Sequence, residues 1–361
     1  MKKLMYLLLI CGMLFSCSEK EDKTSSYIGP GSEYSIEFNE TAGTFDLTES
    51  TASLTVSGSY TTLSSGFKKL TVGAVSGGSG SGPSVGDEAY GVDIPGVVFL
   101  LKPIEEDSEI IAMVSKGSCP TADFNMNWII TSIDRDQKLS NDCSDATEKG
   151  TDSLGTFSYT SSTETGALPK LFDVCGDTVA TDQSLGKITC SAGIGTPETE
   201  GTVKMYLTAN GGSIVKITDD NQVIVALPVN TVVEANIAGE YIGLVMVNGA
   251  GAGGTSSVYP VKSTAGSDGV FSFDEINPST GEVITTNGVN GDSTMVEHNV
   301  PDTGFSKGTF TLDSPPPGFT AKKTICMSNQ NISGTGKNFI FCVGQDPFDE
   351  ENMINVLLIS K

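Results

Sequence analysis

From Tyr34 onward the apolar residues of this chain recur at every second position rather than every third or fourth. "GTFSYTS" (Gly155–Ser161), "TVKMYLTA" (Thr202–Ala209) and "GVFSFDEI" (Gly269–Ile276) all alternate in this way, the period of a strand with one buried face. "VVFLL" (Val97–Leu101) and "NVLLIS" (Asn355–Ser360) are unbroken apolar runs and are read as strands buried on both faces. Asn210-Gly211, Asn248-Gly249, Asn287-Gly288, Asn290-Gly291 and Asp268-Gly269 favour the positive φ angles of tight hairpins. No segment sustains a 3.6-residue apolar period. Strands joined by short turns run antiparallel. The expected fold class is therefore all-β, with two antiparallel β domains, each an up-and-down barrel or a sandwich.

The strand pattern stops at Leu227-Pro228 and restarts at Gly239, which predicts domains over residues 34–230 and 239–361. The second holds eight candidate strands: Tyr241–Val247, Ser257–Val261, Val270–Ile276, Glu282–Thr286, Gly308–Leu312, Thr320–Met327, Asn338–Val343 and Asn355–Ser360. Eight meandering strands in such a span suit a small up-and-down barrel. "GEYIGLV" (Gly239–Val245) resembles the entry strand of lipocalin- and avidin-like barrels. That resemblance implies a carrier of a small apolar ligand. The two domains also share a pattern: "GTFSYTSSTETGAL" (Gly155–Leu168) parallels "GVFSFDEINPSTGEV" (Gly269–Val283), and both Cys175–Cys190 and Cys326–Cys342 carry Gly-Lys before the second cysteine. Tandem duplication, which this suggests, requires matching strand positions in the two domains.

The N-terminus reads as an address. Lys2 and Lys3 precede an apolar run, Leu4–Phe15, that is too short for a bilayer span of about 20 residues and fits a secretory leader. Leu14-Phe15-Ser16-Cys17 resembles the bacterial lipobox. The resemblance implies that residues 1–16 are a signal peptide and that Cys17 becomes the acylated (palmitate-bearing) N-terminus. Ile10 before Cys11 is too large for the cleavage pocket. Ser18 rather than Asp follows Cys17, and acidic residues come next. In the lipoprotein family this implies the outer membrane, on its periplasmic face or at the cell surface. Residues 17–33 then form the lipidated cysteine and a polar tether.

Loss of the leader takes the net charge from −23 to −25. Phosphate backbones and anionic headgroups would repel such a chain, so no nucleic-acid partner is expected. Membrane contact is expected through the lipid alone. Six cysteines remain, Cys119, Cys143, Cys175, Cys190, Cys326 and Cys342, an even set that in an exported protein argues for disulfides. Fifteen pairings are open in principle, of which the simplest joins neighbours: Cys119–Cys143, Cys175–Cys190 and Cys326–Cys342. No CxxC pair exists and the single histidine, His298, is remote from every cysteine in sequence, so no metal site and no cofactor are expected.

Chemistry-bearing motifs are sparse. "GAGAGG" (Gly249–Gly254) follows a strand but precedes another, so it lacks the helix that a dinucleotide site needs. In "GTDSLG" Thr151 interrupts the lipase-like Gly-Asp-Ser-Leu, and Met295 stands where an Asp would precede His298. Carboxylates cluster at Glu105-Glu106-Asp107, Asp134/Asp136, Asp219-Asp220 and Asp346–Glu351. They leave open a carboxylate-based hydrolase or a calcium loop, with solvated turns as the simpler reading. Trp128, the only tryptophan, is read as core, with a sugar-stacking platform as its alternative. The expected function is thus a lipid-anchored, non-enzymatic binding or interaction module with a protein or glycan partner and no catalytic residues. The small-ligand carrier and the hydrolase are its alternatives.

Overall fold

The computed structural model describes residues 24–29, 34–78, 82–102, 111–130, 154–173, 176–199, 204–206, 214–217, 223–248, 256–285, 290–313, 322–345 and 353–361. Every regular element longer than a single turn among them is a strand. The strands close into three eight-stranded antiparallel barrels.

The first barrel comprises β1 (Thr24–Ile28), β2 (Tyr34–Asn39), β3 (Thr44–Glu49), β4 (Leu54–Thr62), β5 (Lys68–Ser76), β6 (Glu88–Ile94), β7 (Val98–Lys102) and β8 (Ile111–Ser115). The second comprises β9 (Phe124–Ile130), β10 (Leu154–Thr160), β11 (Thr165–Phe172), β12 (Thr178–Ser191), β13 (Ile194–Pro197), β14 (Lys204–Tyr206), β15 (Ile214–Ile217) and β16 (Val223–Pro228). The third comprises β17 (Gly239–Asn248), β18 (Ser256–Ala265), β19 (Val270–Glu275), β20 (Gly291–His298), β21 (Phe305–Leu312), β22 (Lys322–Asn329), β23 (Phe339–Gln345) and β24 (Met353–Ser360). In each, consecutive strands pair and the first strand closes on the last: β1 on β8, β9 on β16, β17 on β24.

The all-β, antiparallel expectation holds, and residues 239–361 form a barrel rather than a sandwich. The span expected as one domain, 34–230, instead holds most of two barrels, and the first of them begins at Thr24 within the expected tether. The junction between β8 and β9, "KGSCPTAD", is as short and polar as a hairpin loop. Nothing in its composition separates a turn within one barrel from a passage between two. The break after Pro228 stands out because a longer segment precedes the Gly239 restart.

Seven of the eight strands expected in the last barrel are present. The exception is Glu282–Thr286, whose described part is irregular except for one bridge between Ile276 and Val283. Val283 spends its apolar side chain on a core shared between barrels, so its β-branched neighbourhood imitates a strand. The fourth strand is β20, which includes His298.

Alternation sorts the side chains into two kinds of core. Inward residues fill each lumen: Tyr27, Phe38 and Phe99 in the first, Met126, Trp128 and Phe157 in the second, Tyr241, Phe273 and Phe310 in the third. Outward residues from all three barrels meet in one further cluster, with Leu100 from β7, Ile129 from β9, and Leu244 and Leu357 from β17 and β24. The unbroken apolar runs follow from this geometry. In β24, Ile354, Val356 and Leu358 point into the lumen while Leu357 and Ile359 join the shared cluster. In β7, Phe99 and Leu101 point in while Val98 and Leu100 point out.

Polar contacts fix the barrels around that cluster. Asn127 of the second barrel donates to the Thr303 carbonyl of the third at 2.6 Å, and Lys170 pairs with Asp302 at 2.7 Å. Asn329 donates to the Pro228 carbonyl at 2.8 Å. Ser65 of the first barrel donates to the Pro278 carbonyl of the third at 2.9 Å. The Tyr90 hydroxyl meets that of Ser279.

Two disulfides lie among the described residues. Cys326–Cys342 joins directly opposed residues of β22 and β23, as the nearest-neighbour pairing expects. Cys119 bonds Cys190 of β12, which corrects both other neighbour pairings. Folding of the second barrel brings the segment leading into β9 to β12, although 71 residues separate the two cysteines. Cys143 and Cys175 lie outside the described residues. The tandem-duplication reading also fails in detail. "GTFSYTS" is the second strand of its barrel and "GVFSFDEI" the third of its own, and Cys190 does not bond Cys175. What repeats is the topology.

Candidate functional site

An eight-stranded barrel is just wide enough to be filled by its own side chains or to hold one small ligand. The third barrel is filled. Its lumen keeps a space of about 20 Å³ between Phe271, Phe273, Met295, Phe310 and Cys342 of the Cys326–Cys342 staple, room for about one water. The carrier reading of residues 239–361 therefore falls. Bulky rings closed the space: Phe273 and Phe310 stack with centroids 4.9 Å apart. The second lumen is filled by Trp128, 7 % exposed, which places it in the core and removes the sugar platform.

The first lumen departs from this apolar pattern. Lys68, at the start of β5, and Asp93, near the end of β6, face inward and pair at 3.1 Å. The ammonium also lies 5.3 Å from the ring centroids of both Phe38 and Tyr60, within cation–π range. Tyr27 donates its phenolic hydrogen to Asp93 at 3.2 Å and accepts one from the Gly96 amide at 3.3 Å. Burial, then the Asp93 charge, pushes the Tyr27 phenol far above its ordinary range. The sequence reading missed this constellation because Lys68 and Asp93 sit on separate strands. The one available signal was a charge at an inward position of an alternating strand.

His298 Nδ1 lies 3.0 Å from Ser306 Oγ across β20 and β21. Ser306 is 0 % exposed, so its hydroxyl cannot meet a substrate, and the pair is a structural cross-strand contact. His298 itself is half-buried. No cluster of three potential metal ligands occurs among the described residues. The carboxylate clusters at 105–107, 134/136, 219–220 and 346–351, the Gly-rich segment 249–254 and Cys17 lie outside the described residues. β18 after the Gly-rich segment is a strand, so the helix of a dinucleotide site is absent there.

The outer face of the second barrel carries an open groove of about 730 Å³ along β12, β13 and β14. Strand register puts Thr189 opposite Thr196 and Ser191 opposite Ile194. Their side chains line the groove together with Lys187, Glu198 and Lys204 and with the apolar Ala192 and Pro197. Lys187 pairs with Glu164 at 3.1 Å with both side chains more than half exposed, which leaves the ammonium open to exchange partners. Hydroxyls, ammonium groups and one carboxylate can hydrogen-bond a polar ligand. None of them is a nucleophile activated by a neighbouring base.

No family model matches the chain, and no curated protein matches it. Among solved structures it is similar to a mutant of Transferrin Binding Protein B from Haemophilus parasuis Hp5, at 10% identity and a TM-score of 0.27, over 92% of this chain and 66% of that one. It is also similar to the isotype 1 Transferrin binding protein B from serogroup B Neisseria meningitidis, at 11% identity and a TM-score of 0.28, over 91% of this chain and 65% of that one. The chain thus spans just under two thirds of the length of either structure. A likeness of this degree carries no argument about function.

Proposed function

We propose that the chain is a lipid-anchored outer-membrane protein, held by Cys17, whose three barrels act as a rigid non-enzymatic module that binds a protein or glycan partner on its outer surface. The supporting observation is the contrast between a lumen left with about 20 Å³ and an open groove of about 730 Å³ whose lining mixes apolar and polar side chains. Interior volume is spent on the core, so binding surface must lie outside. The groove between Lys187 and Lys204 is the candidate contact. Its hydroxyls and ammonium groups suit hydroxylated or acidic groups, beside apolar contacts from Ala192, Ile194 and Pro197, and the net charge of −25 after loss of the leader makes this pair of lysines stand out against the rest of the chain.

Two measurements test the reading. Wild-type protein is expected in the membrane fraction with incorporated labelled fatty acid, and Cys17→Ser in neither state. Membrane retention and labelling of the variant defeat the anchor. For the groove, immobilised protein is screened against arrays of acidic and neutral glycans and envelope proteins. Binding that drops at least tenfold in Lys187→Glu/Lys204→Glu supports the assignment, and binding unchanged by that double variant removes it.

A further inference from the structure

We propose that Lys68 and Asp93 condense into an intramolecular isopeptide bond that covalently joins β5 to β6 inside the first barrel. Lys68 Nζ is equidistant from the two carboxylate oxygens, 3.1 Å from each, so the nitrogen is centred on the carboxyl group and within short reach of Cγ. Lys68 is 8 % exposed, and Tyr27, Phe38 and Phe99 around the pair are 0 % exposed. A buried ion pair keeps the desolvation penalty of two charges, which their attraction need not repay. A neutral amide made from the same atoms carries no charge. Well-oriented intramolecular groups reach effective concentrations on the order of 10⁵–10⁸ M, which lowers the barrier to an amide condensation that is very slow between free amine and carboxylate in water.

The atoms balance without a further reactant. One ammonium proton passes from Nζ to Oδ1, giving an amine beside a carboxylic acid. The amine lone pair attacks Cγ, forming the C–N bond and placing negative charge on Oδ2. Tyr27 holds that charge, because its hydroxyl already donates to Oδ2 at 3.2 Å. Its raised phenol keeps the hydrogen available. Oδ1 takes a second proton from nitrogen and leaves as water. The product has Oδ2 as its amide oxygen and one hydrogen on nitrogen.

Peptide mapping of the full-length protein by tandem mass spectrometry tests this. The expected product is a branched peptide joining the Lys68 and Asp93 segments, lighter by one water than the two segments together. Lys68→Arg, which keeps the positive charge, is expected to abolish the branched peptide. Tyr27→Phe is expected to leave a larger unlinked fraction. Recovery of the two wild-type segments unlinked and in full yield overturns the proposal, as does a branched peptide that survives in Lys68→Arg.

Discussion

At the scale of single residues, the tightest constraint lies where a barrel closes. Gly243 sits on β17 beside β24, and a Cβ there would run into the Leu357 carbonyl. Neither backbone can yield without breaking the ladder that joins first strand to last. Gly243→Ala should lower unfolding stability by about 1–3 kcal/mol, read as a lower urea midpoint with an unchanged slope. Asp123 gives a pH-dependent case. It accepts two hydrogen bonds from Ser161, from its hydroxyl and its amide, each at 2.7 Å, and these hold its carboxyl below the usual range. A lowered folded pKa stabilises above the unfolded value of roughly 4 and is lost as pH falls through the folded one. The melting temperature of wild type should therefore exceed that of Asp123→Asn at neutral pH and converge with it in acid. A gap that persists at low pH would rule out the carboxylate as its source.

At the scale of elements, the two staples differ in what they close. Cys326–Cys342 spans 16 residues and reinforces a hairpin whose strands already pair, whereas Cys119–Cys190 spans 71. Chain-entropy reasoning gives about 3 kcal/mol for the short loop and about 4 kcal/mol for the long one. Cys119→Ala/Cys190→Ala should therefore destabilise more than Cys326→Ala/Cys342→Ala in guanidinium unfolding, and the reverse order would defeat the loop-length account. The same contrast explains what was legible in the sequence. Cys326 and Cys342 flank a local turn, so proximity in sequence predicts their partnership. Cys190 meets Cys119 only because β12 and the approach to β9 are brought together by closure of the barrel, a long-range event that spacing does not encode. Alternation likewise exposed β10 and β19, and an unbroken apolar run exposed β24, while Val283 misled because a residue buried outside any ladder can carry the same β-branched chemistry. The inward Lys68–Asp93 pair, and the groove between β12 and β14, needed register before their members could be grouped.

At the scale of the whole molecule, the outward faces of the three barrels share one apolar cluster, and this couples their stabilities. Heating should unfold the three barrels in a single calorimetric transition, with the van't Hoff and calorimetric enthalpies in agreement. Separate endotherms would mean that the barrels are independent. Leu357 is 3 % exposed within that cluster, so Leu357→Ala should cost about 2–5 kcal/mol. The loss should appear in probes of all three barrels at once, including the fluorescence of Trp128 in the second. A change confined to the third would break the coupling argument.

The shared cluster also limits how such a chain can change over evolutionary time. A recombination event that exchanged one barrel for another would have to match two unrelated apolar surfaces together with the contacts of Asn127, Lys170 and Asn329. Shuffling whole units is thereby discouraged even though all three have the same topology. Exposed positions of the β12–β14 groove, such as Lys187, Thr189 and Lys204, are free of that constraint, because a substitution there meets solvent.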